Sequence, residues 1–475
     1  MNIAFLLSDA PGFVATFLKL GAELKKSGFN AYYFSDSETV SRSYESLGGD
    51  GRYLVCFSRH VNNLTKDEIR GVTINKGNFA DLERLKIYYN ASTVNIDNFF
   101  QKSDHLNGFF ERWIVQNDIS VLISETVAGS YTYAAFESAK KCKILFMGHE
   151  LSRINGLTEL YINGEMDNLN LSKESLERVR KSVEMYLDKV ASGRPQIPSY
   201  MQPGSLFNVS NTSLYHRLTN RKRLTQVLAN LYYSFLNKKN YFGFRPAVKD
   251  LIHLKLLFRR MFLRYFLGKD KDKDKLYFIN PEKVNIIFPL HFHPEAATSM
   301  LSQENFSELD ILTYLCSLLP STFTVYIKEH PSMLGRRDQS EKKEFKRLPN
   351  SVFIDANEKL SDNNIRAVVT LTGTMGLEYA LRSKQVITFG HVFYNTHPNV
   401  IRARSKAECL KLLMQLIDAN DSITSHEENY SYLCTYGEKC LPISFEASSC
   451  TESELLEFAK YIVYVLKDKR KCAGQ

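Results

Sequence analysis

Short apolar runs alternate with helical patterns in the amino-terminal part of the sequence, and this alternation limits the folds that the chain can adopt. Residues 1–7 form an apolar run, residues 13–24 carry apolar side chains at helical spacing, and residues 30–34 form a second apolar run. Gly28 stands where the helix should end. Strand, helix and strand at this spacing predict a βαβ unit with parallel strands.

The same alternation recurs further along the chain. Residues 119–123 and 143–147 flank an alanine-rich stretch at 128–141, which predicts a second βαβ unit. From residue 284 onward there are five more strand-like runs, at 284–288, 323–327, 351–354, 367–371 and 385–389. One hydrophobic core rarely exceeds roughly 250–300 residues, so the 475 residues should form more than one domain. The sequence therefore predicts two α/β domains.

The domain boundaries are placed where the composition changes. A capping-box pattern, Thr451 followed by Glu454, precedes a final stretch with one apolar helical face. We expect an amino-terminal domain at 1–215, a basic aromatic helical segment with a tether at 216–275, a carboxyl-terminal domain at 276–450 and a carboxyl-terminal helix at 451–475.

The basic character of the chain is local. Residues 217–275 contain 16 Lys or Arg and 4 Asp, a net charge of +12, although the whole chain carries only +9. With its interleaved aromatic residues this segment fits an anionic inner-membrane surface, where each basic residue contributes on the order of 1 kcal/mol. It fits equally well helices that pack on the amino-terminal domain with a solvated basic face. No nucleic-acid-binding module is recognisable, so nucleic acid is not an expected partner.

The amino terminus and the cysteines indicate the compartment. Residues 1–9 have no basic leader, and their apolar run is far shorter than the ~20 residues of a membrane span. The eight cysteines include no Cys-x-x-Cys pair, which predicts neither a zinc site nor a disulfide framework. We therefore expect a cytoplasmic protein, peripheral on the inner face of the cytoplasmic membrane if the basic segment docks there. The loop after the first strand lacks Gly-x-Gly-x-x-Gly, so NAD is not expected.

Two polar motifs follow apolar runs of the second domain. Lys328-Glu-His330-Pro follows residues 323–327, and Thr372-Gly373-Thr374-Met-Gly follows residues 368–371. In a parallel sheet ligands collect at the carboxyl ends of strands, so we expect the two motifs side by side. The His330 imidazole can donate to a phosphoryl oxygen, and Lys328 adds a positive charge, so we expect both to bind the phosphate of a donor. The second motif should start a helix whose N–H groups, dipole and two hydroxyls face an anion. A plain helix-capping turn is the alternative.

Three further side chains belong to a loop at 288–295, after the first strand of this domain: His291, His293 and Glu295. Two histidines without a third ligand at ordinary spacing do not predict a metal site. We expect these residues to orient a donor or an acceptor. Glu378 is expected in the first turn of the helix after the Thr-Gly-Thr turn, where it could accept hydrogen bonds from ribose hydroxyls or merely complement the helix dipole.

These motifs resemble those of the bacterial capsule polysaccharide biosynthesis proteins, which include the Kdo transferases that use CMP-Kdo. That family has Lys-x-His-Pro and a Ser/Thr-rich turn in its carboxyl-terminal domain, matched here by Lys328–Pro331 and Thr372–Thr374 within residues 284–395. The resemblance implies a GT-B glycosyltransferase, with two Rossmann-like domains facing across a cleft, the donor on the second domain and no obligatory cofactor or metal. It also implies that His330, Thr372 and Thr374 hold the donor phosphate. The turn here is Thr-Gly-Thr where the family has paired serines.

Glycosyl transfer needs a group that deprotonates the acceptor hydroxyl or stabilises an oxocarbenium-like centre. We expect this group in the amino-terminal domain. Glu125 is the first candidate, because it ends a strand and is followed by the small residues 127–130, which should leave room for a sugar. Asp9 in the first loop is the second candidate. A solvated loop residue or a helix cap is the alternative for each carboxylate.

The sequence thus predicts a glycosyltransferase that moves a sugar, Kdo or a related one, from a nucleotide donor, CMP-linked first, to a lipid-linked or polysaccharide acceptor of the cell surface. Two alternatives remain open at this point. One is a CDP-polyol phosphotransferase of the teichoic-acid type, and the other is a non-catalytic scaffold for capsule assembly.

Overall fold

The computed structural model describes residues 1–8, 12–62, 75–81, 96–166, 168–193, 276–277, 279–292, 300–302, 307–333, 337–355, 358–360, 364–416, 424–446 and 450–473. Asp9, His293 and Glu295 lie outside these ranges, as does the basic segment at 217–275.

The strands are short and rich in β-branched and aromatic residues, as expected for buried strands. In chain order they are β1 (Asn2–Leu6), β2 (Asn30–Ser35), β3 (Leu54–Cys56), β4 (Ile119–Glu125), β5 (Leu145–Leu151), β6 (Thr158–Ile162), β7 (Leu276–Tyr277), β8 (Val284–Pro289), β9 (Phe323–Lys328), β10 (Ser351–Ile354), β11 (Lys359–Leu360), β12 (Ile365–Thr370), β13 (Gln385–Thr388), β14 (Val400–Arg402) and β15 (Cys440–Leu441).

The helices with both ends described carry apolar residues on the faces that they bury. They are α1 (Phe13–Lys26), α2 (Glu38–Ser46), α3 (Phe57–Asn62), α4 (Ile96–Gln116), α5 (Ser130–Lys141), α6 (Lys173–Ala191), α7 (Glu308–Leu318), α8 (Gln339–Arg347), α9 (Thr374–Leu381), α10 (Lys406–Gln415), α11 (His426–Gly437) and α12 (Glu452–Ala473). Among the helices that the structure describes, none combines the length and apolar character of a membrane span.

The first compact unit contains the described residues up to Leu187 and those from Leu433 onward. Its seven-stranded sheet has the order β15-β6-β5-β4-β1-β2-β3. β1 pairs in parallel with β2 and β4, and β4 pairs in parallel with β5. At the other edge, β6 is antiparallel to both β5 and β15. The predicted Rossmann-like pattern is confirmed, with an antiparallel edge that the sequence pattern did not indicate.

Apolar side chains cover both faces of this sheet, which explains why its central strands read as nearly continuous apolar runs. On one face, Phe5 and Phe17 share a core with Phe458 of α12. On the other face, Phe34 packs with Phe110 of α4 and with residues of α5. The two βαβ units predicted at 1–34 and 119–147 therefore share one doubly covered sheet.

The second compact unit contains the described residues between Asp188 and Tyr432. Its six strands are all parallel, in the order β10-β9-β8-β12-β13-β14. β7 and β11 form a separate two-stranded parallel pair. The five strands predicted from residue 284 onward are all present, which confirms the second Rossmann-like domain. The carboxyl ends of β8, β9 and β12 lead into the loops that carry the predicted phosphate motifs.

The carboxyl-terminal boundary differs from the one expected at 450. Residues from Leu433 belong to the first unit, where β15 extends the first sheet and Phe445 enters its core. A strand of two residues is too short to show a period of two, so no local pattern indicates this return. The predicted capping box is confirmed, because the Thr451 N–H donates to the Glu454 carboxylate at 2.7 Å and the Glu454 N–H donates to Thr451 Oγ1 at 3.3 Å.

Candidate functional site

The turn between β12 and α9 is the centre of the candidate site in the second unit. It follows Thr370, the last residue of β12, and α9 begins at Thr374 with Gly373 as its N-cap. The Thr372 N–H donates to Nε2 of His291 at 3.1 Å, and the Gly373 N–H donates to Oγ1 of Thr370 at 3.0 Å. Side chains at two neighbouring strand ends thus hold two successive amides of the turn.

Gly373 before α9 and Gly376 within it are both required, because other side chains approach them closely. A Cβ at Gly373 would lie 2.7 Å from Oγ1 of Thr370, and a Cβ at Gly376 would lie 2.7 Å from the hydroxyl oxygen of Tyr394. The Tyr394 hydroxyl donates to the Gly373 carbonyl. Any larger residue at either position would displace a side chain that supports the turn.

The turn presents donors that suit an anion. The N–H groups of Thr374 and Met375 lie in the first turn of α9, where backbone donors have no acceptor inside the helix. Thr372 is only 7% exposed, and within the described residues its Oγ1 has no hydrogen-bond partner. A buried hydroxyl without a partner is costly, and a phosphate oxygen at the helix N-terminus would satisfy it. The arrangement can therefore bind a phosphate through main-chain and side-chain donors.

His291 supports this turn from the end of β8. Its ring is 6% exposed, and its Nδ1 lies 2.8 Å from Oε1 of Glu308. The same Glu308 oxygen accepts the His291 backbone N–H at 2.6 Å. The sequence suggested that His291 contacts the ribose or the sugar of a donor. With both ring nitrogens engaged inside the protein, the ring instead links Glu308 to Thr372.

A buried arginine connects the loops after β8 and β9. The Arg337 guanidinium donates to both oxygens of Glu329, at 2.8 and 3.2 Å, and lies 3.7 Å from Oε2 of Glu308. It also donates to the His291 carbonyl at 3.4 Å. Although burial favours the neutral guanidine, the Glu308 and Glu329 carboxylates hold the pKa of Arg337 above its usual range. Burial raises the pKa of Glu329, against the effect of Arg337.

Lys328 ends β9 and points its ammonium at the neighbouring strand end. Nζ donates to the carbonyl of Asp355, just after β10, at 2.7 Å. Burial lowers the pKa of Lys328 to about 8, although the carboxylates of Glu358, Asp355 and Glu329 favour its charged form. Lys328 is thus a largely buried cation that stays mostly charged at neutral pH and loses its charge as the pH rises through about 8. Its contact with a donor phosphate stays a prediction.

The two phosphate motifs are not on adjacent strands. In the sheet, β8 lies between β9, which leads to His330, and β12, which leads to Thr372. The expectation that the motifs lie side by side is corrected, since the loop with His291 follows the strand between them. The backbone N–H of His330 donates to the Glu329 carboxylate at 2.9 Å, and the centroid of the His330 ring lies 6.0 Å from that of Phe292. Phosphate binding by His330 and Thr374 stays a prediction.

Glu378 does not lie in the first turn of its helix. α9 begins at Thr374, so Glu378 is the fifth residue, and the first turn contains no acidic residue. The sequence misplaced Glu378 because the helix begins within the Thr-Gly-Thr motif, at Thr374, and not after it. A carboxylate one turn further along no longer complements the helix dipole, whose influence falls off within the first turn.

Glu125 is the most unusual carboxylate of the first unit. It ends β4, as predicted, and is half-buried beside β5. Burial raises the pKa of Glu125 to about 8, and the nearby carboxylates of Glu150 and Glu446 add to the shift. At neutral pH this side chain is therefore largely protonated. Carboxyls poised in this range are typical of general acid–base catalysts.

The small residues after Glu125 do not leave the open space expected from the sequence. A Cβ at Gly77 would lie 2.8 Å from the Cα of Ser130, so another segment packs directly on this turn. The Ser130 N–H donates to the Asp81 carboxylate at 2.8 Å, which caps the N-terminus of α5. Room for a sugar at residues 129–130 is therefore taken by residues 75–81 of the chain itself.

His149 lies inside β5, which continues to Leu151. Its ring is 2% exposed and lies 6.0, 5.3 and 5.2 Å from the rings of Phe17, Phe445 and Phe458. Burial lowers the pKa of His149 to about 3. It is a neutral core histidine.

Sequence reasoning missed three residues that shape the candidate site: Glu308, Arg337 and Tyr394. Glu308 is the first residue of α7, where an acidic residue ordinarily complements the helix dipole. Arg337 and Tyr394 stand in segments without a recognisable motif. All three make contacts with residues that lie 17 to 46 positions away in the sequence, such as the hydrogen bonds between His291 and Glu308 and between His291 and Arg337. A local sequence pattern cannot reveal such contacts.

Comparison with known proteins supports the resemblance found in the motifs. Residues 216–398 match the family model of the capsule polysaccharide biosynthesis proteins. This match confirms the resemblance over less than half of the chain and includes the β8, β9 and β12 loops. No curated protein matches the sequence.

Solved structures show only weak likeness. A beta Kdo 2,4 transferase, KpsC of Thermosulfurimonas dismutans, is 11% identical with a TM-score of 0.30, over 66% of this chain and 79% of that one. The UDP-GlcNAc 2-epimerase of Methanocaldococcus jannaschii is 10% identical with a TM-score of 0.25, over 98% and 100% of the two chains. The UDP-GlcNAc 2-epimerase of Neisseria meningitidis, bound to UDP-GlcNAc, is 12% identical with a TM-score of 0.27 over 98% and 100%. Likenesses at these scores carry no argument about function.

Proposed function

We propose that the protein is a GT-B glycosyltransferase of capsule or other surface polysaccharide biosynthesis. It transfers a sugar from a nucleotide donor, with CMP-Kdo or a similar CMP-sugar as the first donor to test. The observation that carries this proposal is the Thr372–Met375 turn, where a buried hydroxyl with no hydrogen-bond partner among the described residues lies at the N-terminus of α9. The family match over residues 216–398 includes this turn.

The turn suits the leaving group of such a transfer. When the bond between the anomeric carbon and the phosphate oxygen breaks, the electron pair stays on that oxygen and the phosphate gains negative charge. N–H groups at a helix N-terminus and a fixed hydroxyl stabilise this charge more strongly than the charge of the intact donor. No metal ion is needed for this role, because the donors belong to the protein.

Glu125 is our candidate for the group that activates the acceptor. As a general base it would take the proton of the attacking hydroxyl while that oxygen bonds to the anomeric carbon. Only the ionised form can do so, and with a pKa of about 8 that form is the minority at neutral pH. Asp9 remains the second candidate, outside the described residues.

The first experiment is binding of CMP and UDP to the purified protein by isothermal titration calorimetry, followed by product analysis with CMP-Kdo and other nucleotide sugars. We expect nucleotide binding and a product with a new glycosidic bond. Failure to bind any nucleotide would refute the proposal. A phosphodiester product from a CDP-polyol would instead identify a polyol phosphotransferase.

We also propose that the protein acts at the inner face of the cytoplasmic membrane, through the basic segment at 217–275. Its net charge of +12 supports this placement, because anionic lipids attract basic residues. The test is co-sedimentation with vesicles that contain phosphatidylglycerol, at low and high salt. Binding that salt weakens supports the proposal, and equal recovery with neutral vesicles contradicts it.

A further inference from the structure

A chain of three buried groups ends at the candidate phosphate turn. The Glu308 carboxylate accepts from the His291 ring at 2.8 Å and from the His291 backbone at 2.6 Å. On the other side of the ring, Nε2 accepts the Thr372 N–H at 3.1 Å. Glu308 is 3% exposed and His291 is 6% exposed, so water does not compete with these bonds.

The bonds determine which ring nitrogen carries the proton. A backbone N–H can only donate, so Nε2, which receives the Thr372 N–H, must be the unprotonated nitrogen. Nδ1 then carries the proton and donates it to the Glu308 carboxylate. In the other tautomer, Nε2–H would face the Thr372 N–H, and two donors in contact would push the turn away. The carboxylate therefore selects the only neutral tautomer that can hold Thr372.

Glu308 is itself held in place. It is the first residue of α7, whose N-cap Ser307 accepts the Asp310 N–H at 3.3 Å. The Arg337 guanidinium lies 3.7 Å from its second oxygen. A buried carboxylate with this charge partner and two N–H donors can remain ionised. The group that fixes the histidine is thus rigid.

We propose that Glu308 is a positioning residue, which acts through His291 to hold the Thr372 turn in the orientation that binds the donor phosphate. This inference rests on the proposed function. Among the described residues, the Glu308 carboxylate reaches the turn through the His291 imidazole, which bonds Glu308 on one side and Thr372 on the other. A carboxylate that accepts a hydrogen bond from the other ring nitrogen fixes the tautomer and the ring orientation of a functional histidine.

The test compares three substitutions in the full chain. Glu308→Leu removes the acceptor, whereas Glu308→Gln keeps one oxygen that can accept both His291 N–H groups. Ser307→Ala is the matched control, because it removes the N-cap of α7 and leaves the carboxylate in place. If Glu308 only stabilised α7, the control would behave like Glu308→Leu.

Two measurements are made on each variant. The first is the affinity for CMP and UDP by titration calorimetry. The second is amide hydrogen exchange of Thr372 without ligand, by mass spectrometry of peptides that contain the turn. We expect Glu308→Leu to weaken nucleotide binding at least tenfold and to accelerate exchange at Thr372 at least tenfold. Glu308→Gln and Ser307→Ala should stay within threefold of the wild type in both.

The outcomes separate this inference from the proposed function. A wild-type protein that binds no nucleotide refutes the function, while Thr372 exchange still shows whether Glu308 orders the turn. A wild-type protein that binds, together with unchanged affinity and exchange in Glu308→Leu, overturns the inference alone. If Glu308→Leu does not fold, Glu308→Asp, which shortens the side chain by one methylene, takes its place in both measurements. Wild-type nucleotide affinity and wild-type exchange at Thr372 in that variant would refute the positioning role.

Discussion

At the scale of single residues, the most telling side chain is Thr372, because its buried hydroxyl has no hydrogen-bond partner among the described residues. We predict that Thr372→Val leaves the protein as stable or raises its free energy of unfolding by up to about 1 kcal/mol, since a buried hydroxyl without a partner is costly. The same change should weaken CMP or UDP binding about tenfold to hundredfold, as expected for a lost hydrogen bond to a charged group.

Thr372→Ser is the control for this prediction, because it keeps the hydroxyl. It should bind nucleotide nearly as well as the wild type. Denaturant unfolding measures the stability of both variants, and calorimetry measures the affinities. A valine variant that is strongly destabilised, or that binds as tightly as the wild type, would show that the hydroxyl does not serve a ligand.

Glu125 gives a prediction about pH. Its pKa of about 8 in the folded protein exceeds the usual value of 4.5, so the unfolded chain ionises first. The contribution of Glu125 to the free energy of unfolding is therefore most favourable below pH 4.5. It falls as the pH rises toward 8, by at most about 1.4 kcal/mol per pH unit. Glu125→Gln should remove this fall, so its gain in melting temperature over the wild type should be larger at pH 8 than at pH 5.

The activity of Glu125→Gln provides the second part of that test. If Glu125 is the base, wild-type kcat should rise with pH up to about 8 and the glutamine variant should lose at least about a hundredfold. Glu165→Gln, a change at an exposed carboxylate, is the control and should alter neither the pH profile of stability nor kcat. A Glu125→Gln enzyme with wild-type turnover would exclude the carboxylate from catalysis.

Single residues also show what the sequence could and could not reveal. The Thr-Gly-Thr turn was visible because a strand, a turn and a helix follow one another within about ten residues, as in many phosphate-binding loops. The role of His291 was not visible. Its partners Glu308 and Thr372 lie 17 and 81 residues away, and only the sheet brings them together.

At the scale of elements, the start of α9 depends on glycine. A Cβ at Gly373 would lie 2.7 Å from Oγ1 of Thr370, so either the turn moves or the Thr370 side chain rotates away and loses its hydrogen bond with the Gly373 N–H. We predict that Gly373→Ala lowers the free energy of unfolding by about 1–3 kcal/mol, as overpacking does, and weakens nucleotide binding. Chemical denaturation and calorimetry measure the two effects.

Gly108→Ala is the matched control for the element-scale prediction. Gly108 lies within α4, and nothing lies within 4 Å of a Cβ built there. Alanine is the better helix former, so this change should stabilise the protein by about 0.5–1 kcal/mol. Equal effects of the two substitutions would mean that the turn has no need for glycine at 373.

The element scale also explains why the strands were predicted well and the sheet order was not. Runs such as 323–327 are apolar because parallel strands are covered on both faces, and this signal is local. The order β9-β8-β12 cannot be predicted from a local pattern, because strands that are neighbours in the sheet are not always consecutive in the sequence. The sequence therefore placed His330 and Thr372 on neighbouring strands, although β8 lies between them.

At the scale of the whole molecule, the chain ends in the unit where it began. Residues from Leu433 onward return to the first unit, although composition suggested a separate helix after a domain ending at 450. The two-residue β15, the buried Phe445 and the apolar face of α12 all belong to the first unit. The sequence showed the helix and its cap but not its destination, because an amphipathic face does not specify which surface covers it.

This return predicts that the first unit depends on its last helix. The Phe458 ring of α12 is fully buried and stacks on Phe445 at 3.8 Å, beside the neutral ring of His149. Phe458→Ala should lower the stability of the first unit by about 3–5 kcal/mol, because the cavity opens in the core that also contains β1. Leu456→Ala on the same helix, where the side chain is 36% exposed, should cost far less.

Limited proteolysis distinguishes the units in this experiment. In Phe458→Ala, cleavage sites in the first unit should open at lower temperature than in the wild type, while peptides from the second unit stay protected. The same variant should bind CMP or UDP as the wild type does, since the phosphate turn belongs to the second unit. A parallel loss of protection in both units would show that they unfold together. Full protection of the first unit would show that α12 is not part of its core.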